Sequence, residues 1–342
     1  MVAIWGAGEL LAQQAGQEQQ RAEWPVTGHD VLGLPGGVAG DYDDAADGLA
    51  ADLSDVVLEE ATMQSKPSPP RRTEILMTGI AMGESPRWHE HRLWFSDWGA
   101  QEILAVNCNG TSEVAVRVPF GLPFCIDWLA DGRLLVVSGR EGHLLRRERD
   151  GTLVTHADLH GAAGMGWNEV VVDGRGNVYI NGGAGITVLT ADGSLRQVAD
   201  GIAFPNGMAI THDNATLIVA ESYGRKLTAF DIAANGSLSN RRVWADLGDG
   251  VPDGICIDAD DAVWYADVPN KRCVRVREGG EVLQTVTVDR GCFACMLGGE
   301  AGKTLFIIAA EWRGMDRVAE VAQERTGQVL TFEAPAPHAG WP

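Results

Sequence analysis

The chain has 342 residues, 45% hydrophobic and 22% charged, an ordinary globular balance with ample apolar content for a large core. Lysine and arginine total 27 against 47 acidic residues, a net charge of −20 that repels phosphate backbones and anionic lipid and argues against nucleic-acid or membrane partners. No run approaches the roughly 20 consecutive apolar residues of a bilayer span, and the opening MVAIWGAGELLAQQ lacks the features of a secretory signal. Six cysteines without such a signal point to a reduced, cytoplasmic protein, with Cys292 and Cys295 as buried strand thiols.

Residues 1–72 stand apart. They hold 12 acidic and 4 basic residues and end in the extended stretch KPSPPRR, which suggests a disordered or loosely helical extension and linker. The opening VAIWGAGELL imitates a dinucleotide-binding start, but Leu11 occupies the third glycine position and no βαβ unit follows before Pro25. Met63 could serve as the natural start.

From Thr73 onward, short β-rich runs alternate with Asp/Gly and Asp/Asn turns: LWFSD, RLLVVSG, NVYING, TLIVAES, AVWYADV and TLFIIAA. Aligning each run with the strand before it gives a repeated unit whose anchor residues are Glu84, Phe124, Asn168, Asn206, Asp253 and Phe293. Their separations are 40, 44, 38, 47 and 40 residues. Six such units of four short strands predict an all-β, six-bladed β-propeller over residues 73–342, with a strand near Glu74–Met77 closing the ring in the last blade.

A residue that opens the innermost strand of a blade faces the mouth of the central channel. The predicted ring of Glu, Phe, Asn, Asn, Asp and Phe therefore offers two carboxylates and two amide oxygens to one divalent cation. That set suits hard ions, Ca²⁺ first, with Mg²⁺, Mn²⁺ or Zn²⁺ as other occupants. Asn206-Gly207 and Asp253-Gly254 are also ordinary turn dipeptides, whereas Glu84 and Asn168 precede no glycine.

GESPRW (83–88), PNGM (205–208) and PDGI (252–255), with the closing P-x-P-x-A-G-x-P of residues 335–342, resemble the signatures of the senescence-marker-protein/gluconolactonase/luciferin-regenerating-enzyme-like family. The resemblance covers about residues 74–342. It implies a catalytic divalent metal held by Glu84, Asn206 and Asp253, with Asn168 as ligand or substrate contact. Sugar-lactone hydrolases of this family often carry arginine two residues before that asparagine; here Gly166 and Trp167 intervene, which points to a less polar or larger substrate. Residues His156–Met165 read as either a lid or a plain inter-blade loop.

The function expected on these grounds is metal-dependent hydrolysis of a small-molecule lactone or ester. Asp253 would act as catalytic base, and Phe124, Phe293 and Trp167 with Asn168 would contact substrate. A phosphotriesterase resembling diisopropyl-fluorophosphatase and a non-enzymatic calcium-binding propeller are the competing readings. Oligomeric state is left open.

Overall fold

The computed structural model describes residues 72–342, apart from residue 161 and residues 163–165. The extension expected over residues 1–72 thus lies outside the described residues except for Arg72. The described chain is a six-bladed β-propeller built almost wholly of strands.

Blade one comprises Gly83–His89, Arg92–Asp97, Glu102–Val106 and Ser112–Arg117; blade two, Phe124–Trp128, Leu134–Ser138, His143–Arg147 and Leu153–Asp158. Blade three is Trp167–Val172, Val178–Gly182, Gly185–Leu189 and Leu195–Ala199. Blade four is Pro205–Ile210, Thr216–Glu221, Lys226–Ile232 and Leu238–Asp246, and blade five Pro252–Asp258, Val263–Asp267, Arg272–Val276 and Val282–Thr287. Blade six takes three strands from the end of the chain, Gly291–Gly298, Thr304–Ala310 and Gly327–Glu333, and its outer strand from the beginning. That strand, Glu74–Ile80, pairs antiparallel with Gly327–Glu333, as the sequence predicts, and closes the ring. Pairing the two ends of the described chain removes the open edge that a linear row of blades would leave.

Burial falls from the axis outward. Every residue of Gly291–Gly298 is buried, while the outer strand Ser112–Arg117 of blade one is mostly exposed. The apolar side chains gather between neighbouring blades, because a blade is a sheet with two apolar faces and neither can be covered from within it. Trp88 of blade one stacks on Phe306 of blade six at 5.5 Å, and a Cβ on Gly298 would stand only 2.3 Å from that indole. Glycine is required there for the two blades to meet.

At the end of the channel where the inner strands finish, the C-terminal segment lies across blades four and five. His338–Ala339 pairs with Ile257 and Asp258, and Trp341 exchanges backbone hydrogen bonds with Ile210 (2.7 and 2.8 Å). The closing proline-rich motif thus caps the far end, leaving the opposite mouth as the face where the inner strands begin. Five of the six cysteines are buried and none is paired; Cys292 and Cys295 lie in the inner strand of blade six, as expected for core thiols.

Candidate metal centre

Five of the six inner strands break register just after they begin, and four of the five do so at a polar anchor. These four shifts fall between Glu84 and Arg87, Trp167 and Val170, Pro205 and Met208, and Pro252 and Ile255. Each is a bulge, one residue too many against the second strand, which bends the strand and re-aims its side chains. Glu84, Asn168, Asn206 and Asp253 all stand at these irregularities. Gly207 and Gly254 follow two of them for a reason other than turn chemistry. A Cβ on Gly207 would lie 2.5 Å from the Asp253 carbonyl oxygen, and one on Gly254 would lie 2.6 Å from Ala294 Cβ. The inner strands converge too closely here for any side chain.

The four polar anchors come together. Asn168 Nδ2 donates to Asn206 Oδ1 at 3.3 Å, and Asn206 Nδ2 donates to Ser222 Oγ at 3.4 Å. Burial, then the negative charges of Asp253 and Glu169, hold the Glu84 carboxyl well above its ordinary range. Asp253 is likewise held well above the usual carboxylate range, first by burial and then by Glu169, while a hydrogen bond from Asn206 works the other way. Asp253 Oδ1 is the only carboxylate oxygen that is buried without a hydrogen-bond partner among the described residues. A buried carboxyl oxygen without a donor, beside two further carboxyl groups, is an arrangement that a bound cation would satisfy.

Glu169 is a member of this group that the repeat pattern does not reveal. It is buried beside Asn168, and its Oε1 accepts from Arg87 Nη2 (2.9 Å) and lies 3.2 Å from Ser85 Oγ. Arg87, itself buried, also reaches Asp127 (3.9 Å from Nε), so one guanidinium serves two carboxylates as well as lying near Glu84. The charge balance under the mouth is negative by residue count.

A second device holds the ring in place. Where the second strand of a blade ends, a carboxylate accepts N–H groups from the loop just before that blade's own anchor. Asp97 takes those of Ala81 (3.1 Å) and Met82 (2.9 Å) before Glu84; Glu221 takes Ala203 (2.9 Å) before Asn206; Asp267 takes Val251 (3.4 Å) before Asp253. Blade three has Gly182 at that point, and Asn181 substitutes, accepting from Glu169 N (3.0 Å) and donating to the Asn206 carbonyl (2.6 Å). The repeated endings FSD, VAE and YAD carried this signal in the sequence.

The aromatic anchors are placed differently. In blade two the pairing runs unbroken from Phe124–Ser138 to Trp128–Leu134, so there is no bulge. Phe124 therefore matches Gly83, Pro205 and Pro252, one residue before the ring position. Its side chain is fully buried between blades one and two, edge-on to Phe120 at 5.9 Å. Cys125 is the blade-two residue near the anchors. Burial and the charges of Glu169 and Glu84 push its thiol well up, keeping it protonated. Trp167 is also buried, in the core between blades two and three.

Phe293 is the extra residue of the blade-six bulge and does lie at the mouth, against Met82, Val268 and Ala310 with half-buried Trp98, Leu122 and Trp312. Its ring meets Trp312 edge-on at 5.6 Å, and Trp98 Nε1 donates to the Phe124 carbonyl at 2.6 Å. Across from this wall, on blade four, Phe204 stacks on exposed Tyr223 at 4.6 Å. Of the segment His156–Met165, residues 161 and 163–165 lie outside the described residues; its start is anchored by Leu159, which is fully buried.

The donor set fits a hard divalent cation. Glu84 and Asp253 supply charge and Asn168 and Asn206 supply neutral oxygens, with no thiolate or imidazole among them.

The sequence profile described as SMP-30/Gluconolactonase/LRE-like region matches residues 82–311. Diisopropyl-fluorophosphatase of Loligo vulgaris is 30% identical over 199 residues, 49% of this chain and 63% of that protein. Regucalcin of Xenopus laevis is 28% identical over 273 residues (72% and 89%), and a pentonolactonase of Haloferax volcanii 24% over 252 residues (63% and 84%). Among solved structures, a luciferin-regenerating enzyme superposes with a TM-score of 0.68 at 20% identity, covering 79% of this chain and 98% of that one, a likeness of fold. With the profile matched across blades one to six, the chain belongs to the SMP-30/gluconolactonase/LRE-like family.

Proposed function

We propose that this protein is a divalent-metal-dependent hydrolase that opens a lactone ring at the channel mouth. The observation that carries the reading is the convergence of Glu84, Asn168, Asn206 and Asp253 around the unpartnered, buried Asp253 Oδ1. The pentonolactonase relative supports the substrate class, and the regucalcin relative is consistent with a calcium-type site.

Glu84, Asn206 and Asp253 would hold the ion, with Asn168 completing its shell or meeting substrate. When bound, such an ion polarises the ester carbonyl and stabilises the charge that develops on its oxygen. The chain's own residues supply the rest. Asp253 has one oxygen free of donors and is the group placed to take a proton from an attacking water. Arg87, Ser85 and Asn181 fix Glu169, and through the backbone hold Asn168 in place. Trp98, Leu122, Phe293 and Trp312 make an apolar wall that favours a substrate with a hydrocarbon or aromatic portion, and Gly166 leaves no guanidinium to meet sugar hydroxyls.

The relationship to diisopropyl-fluorophosphatase favours one second reading, attack at phosphorus in place of carbonyl carbon. One panel separates them: sugar lactones, acyl-substituted lactones, aryl esters and a fluorophosphonate triester, each with added Ca²⁺ and with excess chelator. Ca²⁺-dependent lactone opening supports the proposal. Turnover confined to the triester favours the second reading, and no turnover of any member rejects both.

A further inference from the structure

We propose that His143, Asp158 and His160 form a second metal site, on the rim of blade two, for a borderline divalent cation such as Zn²⁺. The three residues each offer a ligand atom, and these atoms all lie within 4.8 Å of one another. The backbone brings them there. His143 opens the third strand of blade two and is paired directly with Asp158, which ends the fourth. Across that turn, Asp158 Oδ1 accepts the His160 backbone N–H at 3.0 Å and contacts His160 Nδ1 at 2.7 Å. Leu159, between them, is fully buried and donates its N–H to the Gly142 carbonyl at 2.9 Å. Gly142 has φ +65°, and a Cβ there would stand 3.1 Å from the His160 ring. Glycine both allows that backbone conformation and keeps the ring's space open.

Nothing else in the described structure uses these groups. No lysine or arginine pairs with Asp158, and the two imidazoles meet edge to face at 5.2 Å with no hydrogen bond on His143. Two imidazoles and one carboxylate are the donor set of Zn²⁺, Co²⁺ or Ni²⁺, three protein ligands with a position left for water. The channel ring, all oxygen, prefers harder ions. The chain would thus sort two cations by ligand softness. The site lies on the mouth face, at the start of the connection that leads from blade two to Trp167 and Asn168.

The test uses the full-length protein with excess Ca²⁺, titrated with Co²⁺ and read by visible d–d absorption and by metal retained after desalting. One equivalent of Co²⁺ with bands of low coordination number is expected. His160→Ala, in an exposed turn, and His143→Ala should each weaken uptake by about 10–100-fold or abolish it. Glu84→Gln, which disables the channel, should leave that band in place, so the rim site stands or falls independently of the proposed activity. No Co²⁺ uptake by the wild type, unchanged uptake by both histidine variants, or loss of the band in Glu84→Gln alone would each overturn the proposal.

Discussion

Asp253 and Phe124 occupy comparable places near the start of an inner strand, and one register step separates their jobs. The bulge after Asp253 turns its carboxylate toward the anchors of blades one, three and four, whereas the unbroken ladder at Phe124 directs its ring between blades. Asp253→Asn keeps the shape and an oxygen but removes the proposed base, so kcat on the best substrate should fall about 10²–10⁴-fold while part of the proposed metal stays bound. Phe124→Ala removes a fully buried aromatic ring and should cost about 3–5 kcal/mol in denaturant unfolding with little change in kcat. Measuring kcat, bound metal and unfolding midpoint for both variants separates the roles. Similar losses of activity in the two would show that the polar anchors only brace the ring.

At the scale of the strand, the bulge decides what the sequence discloses. Asp/Gly turns between apolar runs gave away the period, the blades and the closing strand, and the polar anchors stood out because carboxylates and amides are unusual at the start of a buried strand. Phe124 stands one register step from the polar anchors, with Cys125 beside them instead, because a bulge adds one residue without any marker in the sequence and blade two has none. Glu169 and Asn181 were equally silent, since their partners come from neighbouring blades and only the fold brings them close. The C-terminal segment yields a pH prediction at this scale. Burial holds the His338 imidazole below its ordinary pKa, against a smaller opposing effect of its contact with the Pro342 carbonyl (2.8 Å). The unfolded ring takes its proton first, near 6.5, so this group's stabilising contribution is complete above that pH and is lost as pH falls through the folded value. Amide protection of Ile210 and Trp341, corrected for intrinsic exchange, should therefore decline between pH 7.5 and pH 5, and His338→Gln should flatten the decline. Equal pH dependence in the variant would place the titrating group elsewhere.

For the whole molecule, closure of the ring is the central fact, and it can be tested from both the chain end and the ion. A chain beginning at Thr73 retains Glu74–Ile80 and should fold with the thermal midpoint of the full-length protein, whereas one beginning at Gly83 exposes the Gly327–Glu333 edge and should aggregate. A 73–342 protein that is insoluble would make residues 1–72 part of the fold. The proposed ion would be the other closure, because its four proposed ligands come from blades one, three, four and five. A cation bound only by the folded ring at a hundredfold excess over Kd would stabilise it by about 2.7 kcal/mol, or about 5 °C for a domain of this size. Without it, Glu84, Asp253 and Glu169 repel one another in a buried space. Glu84→Gln relieves that repulsion and also removes a proposed ligand, so the two effects oppose each other. In chelator at pH 8 the variant should melt above the wild type, and in millimolar Ca²⁺ the order should reverse. Thermal midpoints of the two proteins under the two conditions test it. A variant less stable in both would mean that Glu84 braces the fold through its hydrogen bonds, and that the negative charge at the mouth is not kept for a cation.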